Sequence, residues 1–198
     1  MGAEWVTTTT WALAEDGSDL AAALQTIRED SAAGLATAVE DAFDGATLEV
    51  AVTDGLFDVA LHQPGMLRPL RSAELSDGTL RYLLWLAALL TPVPPRLLAL
   101  NEPETSLHPS LVAPLARAVA RASRRAQVVL VTHSAAMVEA LADAVRDTYA
   151  LGADPRELEP DPGEMPAMRL HELEKDLGET RVVGQGMLTR PSWEWGRR

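Results

Sequence analysis

The sequence RLLALNEPETSLHPSLVAPLARAVARASRRAQVVLVTHS fills residues 96–134 and alternates short apolar runs with an amphipathic segment. RLLALNEP and QVVLVTHS are apolar runs of the kind found in parallel strands that are covered on both faces. The spacing of apolar residues predicts a helix from about Leu111 to Arg124, and a second helix over Ser134 to Val145. This strand-helix-strand-helix order predicts parallel strands with a right-handed crossover, and therefore an α/β fold.

The residues before this stretch predict a buried helix, a hairpin and a helical region. Ser76 is positioned to cap a helix over residues 79–90, which is apolar on most of its surface. TLEVAVTDGLFDVALHQ reads as two alternating strands joined around Asp54-Gly55, a dipeptide suited to a tight turn. Apolar spacings over residues 18–43 predict two short amphipathic helices with a hinge near Gly34.

The residues after the second helix are less regular. Residues 152–166 are rich in Pro, Gly and acidic residues and read as a surface loop. AMRLHELEKDLGETRVV predicts one or two further strands. Trp193 and Trp195 either anchor a partner or, by default, pack the tail onto the body.

Composition narrows the possible functions. The 198 residues carry a formal net charge of −12, which argues against a domain whose main affinity is for a phosphate backbone. The absence of cysteine excludes disulfide frameworks, thiolate metal sites and cysteine nucleophiles. The N-terminal residues show neither a signal peptide nor a membrane anchor, so we expect a cytoplasmic protein without a membrane partner.

Three short segments place residues suited to phosphate chemistry at the ends of these elements. LSDGT at 75–79 puts a serine and a glycine before a buried helix, where exposed amides and the positive helix end attract anions. Asn101 and Glu102 leave the first parallel strand, and His133 leaves the second, at the edge where open α/β sheets bind ligands. Glu102 is able to accept a proton from water, and Asn101 to orient a metal-bound water. Each segment alone has an ordinary alternative, because such helix starts are commonly caps and strand-end histidines are commonly structural.

In this order and spacing, LSDGTLRYLLWLAALL, LLALNEPETSLHP and VVLVTHS resemble the signature motif, the Walker B motif with its D-loop, and the H-switch of ABC-type ATPases. The resemblance is to the RecF-like branch of predicted AAA-family ATPases, and it covers roughly residues 13–198. It implies an α/β, P-loop NTPase-like fold, in which flanking helices and a β-hairpin surround a parallel sheet core. It also implies ATP hydrolysis with ATP and Mg²⁺ as cofactors.

The resemblance assigns roles to nine positions. Glu102 is implied as the base that activates water, His133 as the sensor of the γ-phosphate, and Asn101 as the Mg²⁺-side position of Walker B, acting through a water. The signature residues are implied to bind, in trans, a nucleotide held mainly by an opposing subunit: Ser76, Asp77 and Gly78. The D-loop residues are implied to touch that partner: Ser106, Leu107 and His108.

Two departures from the family pattern limit this assignment. Asn101 stands where an aspartate is usual, which removes a negative charge near the metal. No stretch matches G-x-x-x-x-G-K-[ST], and the one lysine, Lys175, has neither the glycines nor the hydroxyl of that loop. We therefore expect residues 1–198 to form a single partial ATPase domain without the P-loop portion. Its parts are a region before the signature at 14–74, a core at 75–150 and a C-terminal extension at 151–198.

The leading functional hypothesis is an ATPase domain that is active only if it is completed by the missing half or by a full-length partner. The expected partner is a second copy of the chain, giving a homodimer, or a full-length ATPase. The alternative is a catalytically inactive regulatory or interaction protein that retains the fold, and a third possibility is a decayed gene product that barely folds. The resemblance implies a role in DNA repair, recombination or phage defence.

Two further residue sets have weaker functional interpretations. A stripe of arginines on the 111–124 helix and its end is a possible DNA contact, although a solvated face is the favoured interpretation: Arg117, Arg121, Arg124 and Arg125. The four histidines make a metal site only if the fold gathers them: His62, His108, His133 and His171.

Overall fold

Helices and strands alternate along the chain in the order that the sequence predicts. The structure, a computed structural model, describes residues 17, 19–53, 56–150, 168–176 and 179–183. The chain divides into two units, Met1–Pro160 and Asp161–Arg198. The described elements of the first unit are α1 (Leu20–Ala42), β1 (Thr47–Thr53), β2 (Leu56–His62), β3 (Leu70–Arg71), α2 (Asp77–Leu89), β4 (Leu97–Asn101), α3 (Val112–Ala122), β5 (Gln127–Val131) and α4 (Ala135–Ala150).

Helix α1 contains the break that the sequence predicts, but at a different residue. Ser31 has φ −146° and ψ 75°, outside the helical region, so the hinge lies three residues before the predicted Gly34. A Cβ atom on Gly34 would lie 2.8 Å from Ser31 Oγ. Gly34 therefore leaves room for the serine side chain, and the backbone change itself occurs at Ser31.

A three-stranded antiparallel sheet follows, with the strand order β1-β2-β3. Thr53 pairs with Leu56 and Thr47 with His62, which confirms the predicted hairpin. The predicted turn at 54–55 lies outside the described residues. Val50, Val59 and Leu61 are buried, and they place one face of the hairpin against the core.

Helix α2 lies at the centre of the core. Tyr82, Leu83 and Leu86 are fully buried, as the apolar composition of this helix predicts. The Tyr82 hydroxyl donates a hydrogen bond to the Ala38 carbonyl of α1 at 3.2 Å, and its ring meets Phe43 edge to face at 5.5 Å. Burial and the nearby carboxylate of Asp41 raise the pKa of Tyr82, so it stays a neutral donor. Burying each large apolar side chain contributes about 1.5–3 kcal/mol, and α2 therefore joins α1 firmly to the core.

Strands β4 and β5 are parallel, with Asn101 opposite Val131, as predicted. The expectation that both faces of these strands are covered is wrong. Leu100 is buried on one face, whereas Leu97, Val129 and Val131 are 53, 46 and 47% exposed. Alternate residues point to opposite faces of a strand, so one face packs on the core and the other is open.

Small residues on α3 let it pack closely against α4 and the core. The buried positions of α3 include Leu115, Ala116, Ala118, Val119, Ala120 and Ala122. On α4, Met137, Leu141 and Ala144 are buried. Because alanine side chains are small, they let the backbones of the two helices lie near one another.

The second unit contains β6 (Leu173–Asp176) and β7 (Glu179–Val182), which pair as an antiparallel hairpin. This confirms the prediction of strands in AMRLHELEKDLGETRVV. The predicted loop at 152–166 and both tail tryptophans lie outside the described residues.

Candidate functional site

Strand β4 ends in a tight turn that begins at Glu102. This residue has a positive φ of 43°, and its N–H donates to the Val131 carbonyl of β5 at 2.7 Å. Left-handed backbone costs a non-glycine residue about 1–2 kcal/mol, so the surrounding contacts must hold it in place. The turn continues with a hydrogen bond from Thr105 N–H to the Glu102 carbonyl at 3.0 Å. The carboxylate of Glu102 is thereby held at the C-terminal end of the parallel strands.

Glu102 and His133 lie side by side at this edge, as the sequence predicts for residues that leave two neighbouring parallel strands. His133 Nε2 is 3.5 Å from Glu102 Oε1, and the two side chains are 87 and 40% exposed. Thr105 Oγ1 donates to the other carboxylate oxygen at 3.3 Å. Such an exposed pair stabilises the fold by at most about 1 kcal/mol, so the contact matters for geometry and not for folding.

Asn101 is exposed at the same strand end, next to Glu102. Within the described ranges, no group of three or more His, Asp or Glu side chains is arranged to hold a metal ion, so the four histidines form no metal site there. One carboxylate and one carboxamide nevertheless suit Mg²⁺, which binds through few protein oxygens and completes its shell with water and substrate phosphates. The residues present therefore fit a nucleotide-bound Mg²⁺ better than an ion held by protein ligands alone.

The signature segment, residues 75–79, begins α2 as the sequence predicts. Ser76 is the N-cap residue, and its side chain accepts from Thr79 N–H at 3.1 Å. Its Oγ is also 2.9 Å from Thr79 Oγ1. Asp77 occupies the first turn, where its negative charge interacts favourably with the helix dipole. The capping role of Ser76 is thus real, and the hydroxyl stays at the exposed start of the helix.

The D-loop segment, residues 106–108, lies directly against the signature segment. A Cβ on Gly78 would lie 3.0 Å from the carbonyl oxygen of Ser106, so only glycine permits this approach without a shift. Ser106 has a positive φ of 68°. His108 caps the 3-10 turn Pro109–Leu111, and its Nδ1 accepts from Ser110 N–H at 3.3 Å.

Both segments line one cleft of about 580 Å³, a volume within the range of small-molecule sites. The predicted site residues that line it are Ser76, Gly78, Ser106, Leu107 and His108. The structure therefore forms two groups, this cleft and the strand-end group of Asn101, Glu102 and His133. The turn between them, residues 102–107, connects the groups, and Arg81 of α2 donates to its Thr105 carbonyl at 3.3 Å.

Two residues that sequence reasoning missed hold the strand-end group together. The Thr132 hydroxyl donates a hydrogen bond to Glu104 Oε1, and it accepts one from Ser134 N–H at 2.9 Å. The sequence signal was the second glutamate of NEPE and the threonine of VTH. Neither residue type is distinctive alone, and the two lie 28 positions apart.

Two arginines of the predicted stripe, Arg117 and Arg121, do not belong to the solvated face that the sequence favours. Arg117 donates two hydrogen bonds to Asp41 of α1, each 2.7 Å long, and Arg121 Nη2 lies 3.9 Å from the same carboxylate. Asp41 raises the pKa of Arg117, so the guanidinium stays charged. These two arginines join helices, whereas Arg124 and Arg125 lie exposed beyond the helix end.

Among the residues that the structure describes, no helix is both long enough and apolar enough to cross a bilayer.

Comparison with known proteins identifies a matching family model and similar folds. The family model described as "AAA domain, putative AbiEii toxin, Type IV TA system" matches residues 14–139. The fold is similar to a chain from "Structural biochemistry of ATP-driven dimerization and DNA stimulated activation of SMC ATPases", at 13% identity and a TM-score of 0.54 over 83% of this chain and 88% of that one. It is also similar to the SMC head bound to the C-winged helix domain of ScpA, at 10% identity and a TM-score of 0.56 over 89% of this chain and 55% of that one. No curated protein matches the chain. These likenesses confirm the predicted α/β fold of P-loop NTPase type.

Proposed function

Because the chain belongs to the family of AAA domains described as putative AbiEii toxin, type IV TA system, we propose that it binds and hydrolyses ATP as part of an ABC-like ATPase. The observation that carries this proposal is the convergence of Asn101, Glu102 and His133 at the ends of two parallel strands. A carboxylate, a carboxamide and an imidazole at such an edge are the groups that phosphoryl transfer to water requires.

In the proposed reaction, Glu102 accepts a proton from the water that attacks the γ-phosphorus, while the bond to the β-γ bridging oxygen breaks. His133, 3.5 Å away, contacts the γ-phosphate and holds the carboxylate in orientation. Asn101, through a bound water, would hold the Mg²⁺ that accompanies ATP, and the ion would neutralise charge on the phosphate oxygens. Asparagine contributes no charge there, so we expect a weaker hold on the ion than aspartate would give.

We propose that the signature segment acts on a nucleotide held by another subunit, either a second copy of this chain or a full-length ATPase. Ser76 and Gly78 lie at the exposed start of α2, where N–H groups and the helix dipole favour phosphate oxygens. Asp77 contributes to the same segment, and its charge limits how closely a phosphate approaches. Ser106, Leu107 and His108 would contact the partner across the same cleft.

The phosphate-binding loop of this site would come from outside the 198 residues, since no G-x-x-x-x-G-K-[ST] sequence occurs within them. The open face of β4 and β5 supports this arrangement. Leu97, Val129 and Val131 are about half exposed there, whereas parallel strands are normally covered on both faces. A helix that follows the phosphate-binding loop would cover this face. That residues 1–198 form one partial domain, and that the role lies in DNA repair, recombination or phage defence, stays a prediction.

The first test is steady-state ATP hydrolysis by the purified chain with Mg²⁺. We expect Glu102→Gln to lower any turnover by about 10²-fold or more, because an amide does not accept the proton. Glu49→Gln on β1 is the matched control, because it makes the same change at an exposed position on the hairpin. Turnover that survives Glu102→Gln would remove Glu102 from the role of base.

The second test mixes the chain with a relative that carries the phosphate-binding loop. Stimulated hydrolysis that is lost on Ser76→Arg, and retained in the control Thr47→Arg, supports action in trans. Thr47 is exposed on β1, so its change adds the same charge outside the cleft. Unaltered hydrolysis in the mixture would favour the alternative, a regulatory protein that retains the fold without catalysis.

A further inference from the structure

The hydroxyl of Thr132 connects the two strand ends of the candidate site. It donates to Glu104 Oε1 in the turn after β4, and it accepts from Ser134 N–H at 2.9 Å on the far side of His133. A threonine hydroxyl has one donor and two acceptor positions, so both contacts form together. On the near side of His133, the Val131 carbonyl accepts from Glu102 N–H at 2.7 Å.

The side chain of His133 makes few contacts that fix its position. Its side chain is 87% exposed, and its contact with Glu102 is 3.5 Å long. An exposed imidazole with one long contact does not keep a fixed position through its own interactions. The backbone on both sides must therefore set its location, and the Thr132 hydroxyl makes the side-chain contacts that do so.

Glu104 is otherwise difficult to explain. Its Oε2 atom is inaccessible and has no hydrogen-bond partner among the described residues. Burying a carboxylate oxygen without a partner is costly, so a polar group in that position needs a compensating role. The hydrogen bond that its other oxygen, Oε1, accepts from the Thr132 hydroxyl is such a role.

We propose that Glu104 and Thr132 are positioning residues that hold His133 beside Glu102. Glu104 acts through the Thr132 hydroxyl and does not itself touch the reacting atoms. The importance of this contact for catalysis rests on the proposed function, whereas the contact itself does not. Because the charge-assisted hydrogen bond joins the turn after β4 to the segment after β5, its loss would let residues 132–134 separate from Glu102.

The first experiment needs no nucleotide. The ring ¹H–¹³C signal of His133, assigned with His133→Gln, is recorded for the whole chain with and without Glu102→Gln. We expect Glu102→Gln to move this signal, because the imidazole lies 3.5 Å from the carboxylate. Adding Thr132→Val, which removes the hydroxyl at nearly constant volume, should abolish most of that movement, and Thr132→Ser should restore it.

Variants of Glu104 provide an independent test of the same proposal. Glu104→Gln keeps an oxygen that accepts from Thr132 and should preserve the response of His133 to Glu102→Gln, whereas Glu104→Ala should lose it. Unchanged signals of His62 and His108 report that each variant is folded. Two results would overturn the proposal. In the first, Glu102→Gln moves the His133 signal as far in the Thr132→Val variant as in the otherwise unchanged chain. In the second, Glu102→Gln alone does not move the His133 signal.

The second experiment measures ATP hydrolysis in whichever form shows turnover, the chain alone or its mixture with a loop-bearing relative. Thr132→Val and Glu104→Ala should lower kcat by about tenfold or more with little change in KM, and Thr132→Ser should restore kcat. Equal losses in Thr132→Val and Thr132→Ser would overturn the positioning role. If the His133 signal moves as expected but no form hydrolyses ATP, the proposed function is contradicted. The positioning of His133 by Glu104 and Thr132 is then still supported.

Discussion

Gly78 tests whether the signature and D-loop segments form one surface. Replacing it with alanine would put a Cβ atom 3.0 Å from the Ser106 carbonyl oxygen, and ordinary contacts begin at 3.4 Å. The D-loop must therefore retreat by about 0.4 Å, the difference between these two distances. The obstacle is a backbone atom, so a side-chain rotation does not relieve it.

The change in the free energy of unfolding on Gly78→Ala is the difference between two opposing effects. Overpacking costs about 1–3 kcal/mol in a packed region, and a helix gains up to about 1 kcal/mol when glycine becomes alanine. Ser106 is exposed, so its loop yields more easily than a core would. We expect the free energy of unfolding to fall by no more than about 2 kcal/mol, together with a clear displacement of residues 105–108.

Urea denaturation measures the stability change, and backbone ¹H–¹⁵N spectra measure the displacement. Gly65→Ala is the control for the spectra only: no heavy atom lies within 4 Å of a Cβ placed there, but its φ of +84° means that alanine lowers the stability by itself. It should leave the amide signals of residues 105–108 in place, while Gly78→Ala should move them. Unmoved signals in Gly78→Ala, or equal shifts in both variants, would refute the argument that these segments form one surface.

Three further predictions concern the fold that supports the site. A double-mutant cycle with Asp41→Asn and Arg117→Met, read by urea denaturation, should give a coupling free energy of about 1 kcal/mol, because the pair is bidentate but partly exposed; additive effects would contradict it. Tyr82→Phe should lower the free energy of unfolding by about 1 kcal/mol, because it removes the additional hydrogen bond that the buried Ala38 carbonyl of α1 accepts; an unchanged midpoint would contradict it. The pKa of Glu74 is lowered to about 2, first by its hydrogen bonds from Arg68 and from the Arg71 N–H. This interaction is therefore complete above the unfolded pKa of about 4.3 and is lost as pH falls towards 2; NMR titration should show the pKa rising in Arg68→Ala, and no rise would contradict the assignment.

Local patterns predicted most of the elements correctly. The position of Ser76 before an apolar run predicted a helix start, and the structure has that cap. Alternating residues around residues 54–55 predicted the hairpin, because side chains in a strand point to opposite faces in turn. The order of elements at 96–134 predicted parallel strands, since that connection has few other solutions.

Contacts between distant residues were not predictable in the same way. Arg117 and Asp41 lie 76 positions apart, so no local spacing shows that the arginine faces a helix and not solvent. The hinge was assigned to Gly34 because glycine is the usual residue for a break, yet Ser31 adopts the unusual backbone angles. An apolar run also does not show which side of a strand another element covers, and this explains the error at Leu97.

The turn of residues 102–107 shows why the two groups of the candidate site depend on one another. Glu102 and Ser106 both have left-handed backbone, at φ 43° and 68°. Each costs about 1–2 kcal/mol, so the turn keeps this shape only while its outside contacts hold it. Those contacts come from β5 on one side and from Gly78 and Arg81 of α2 on the other. A displacement of Ser106 at the cleft therefore changes the same turn that orients Glu102.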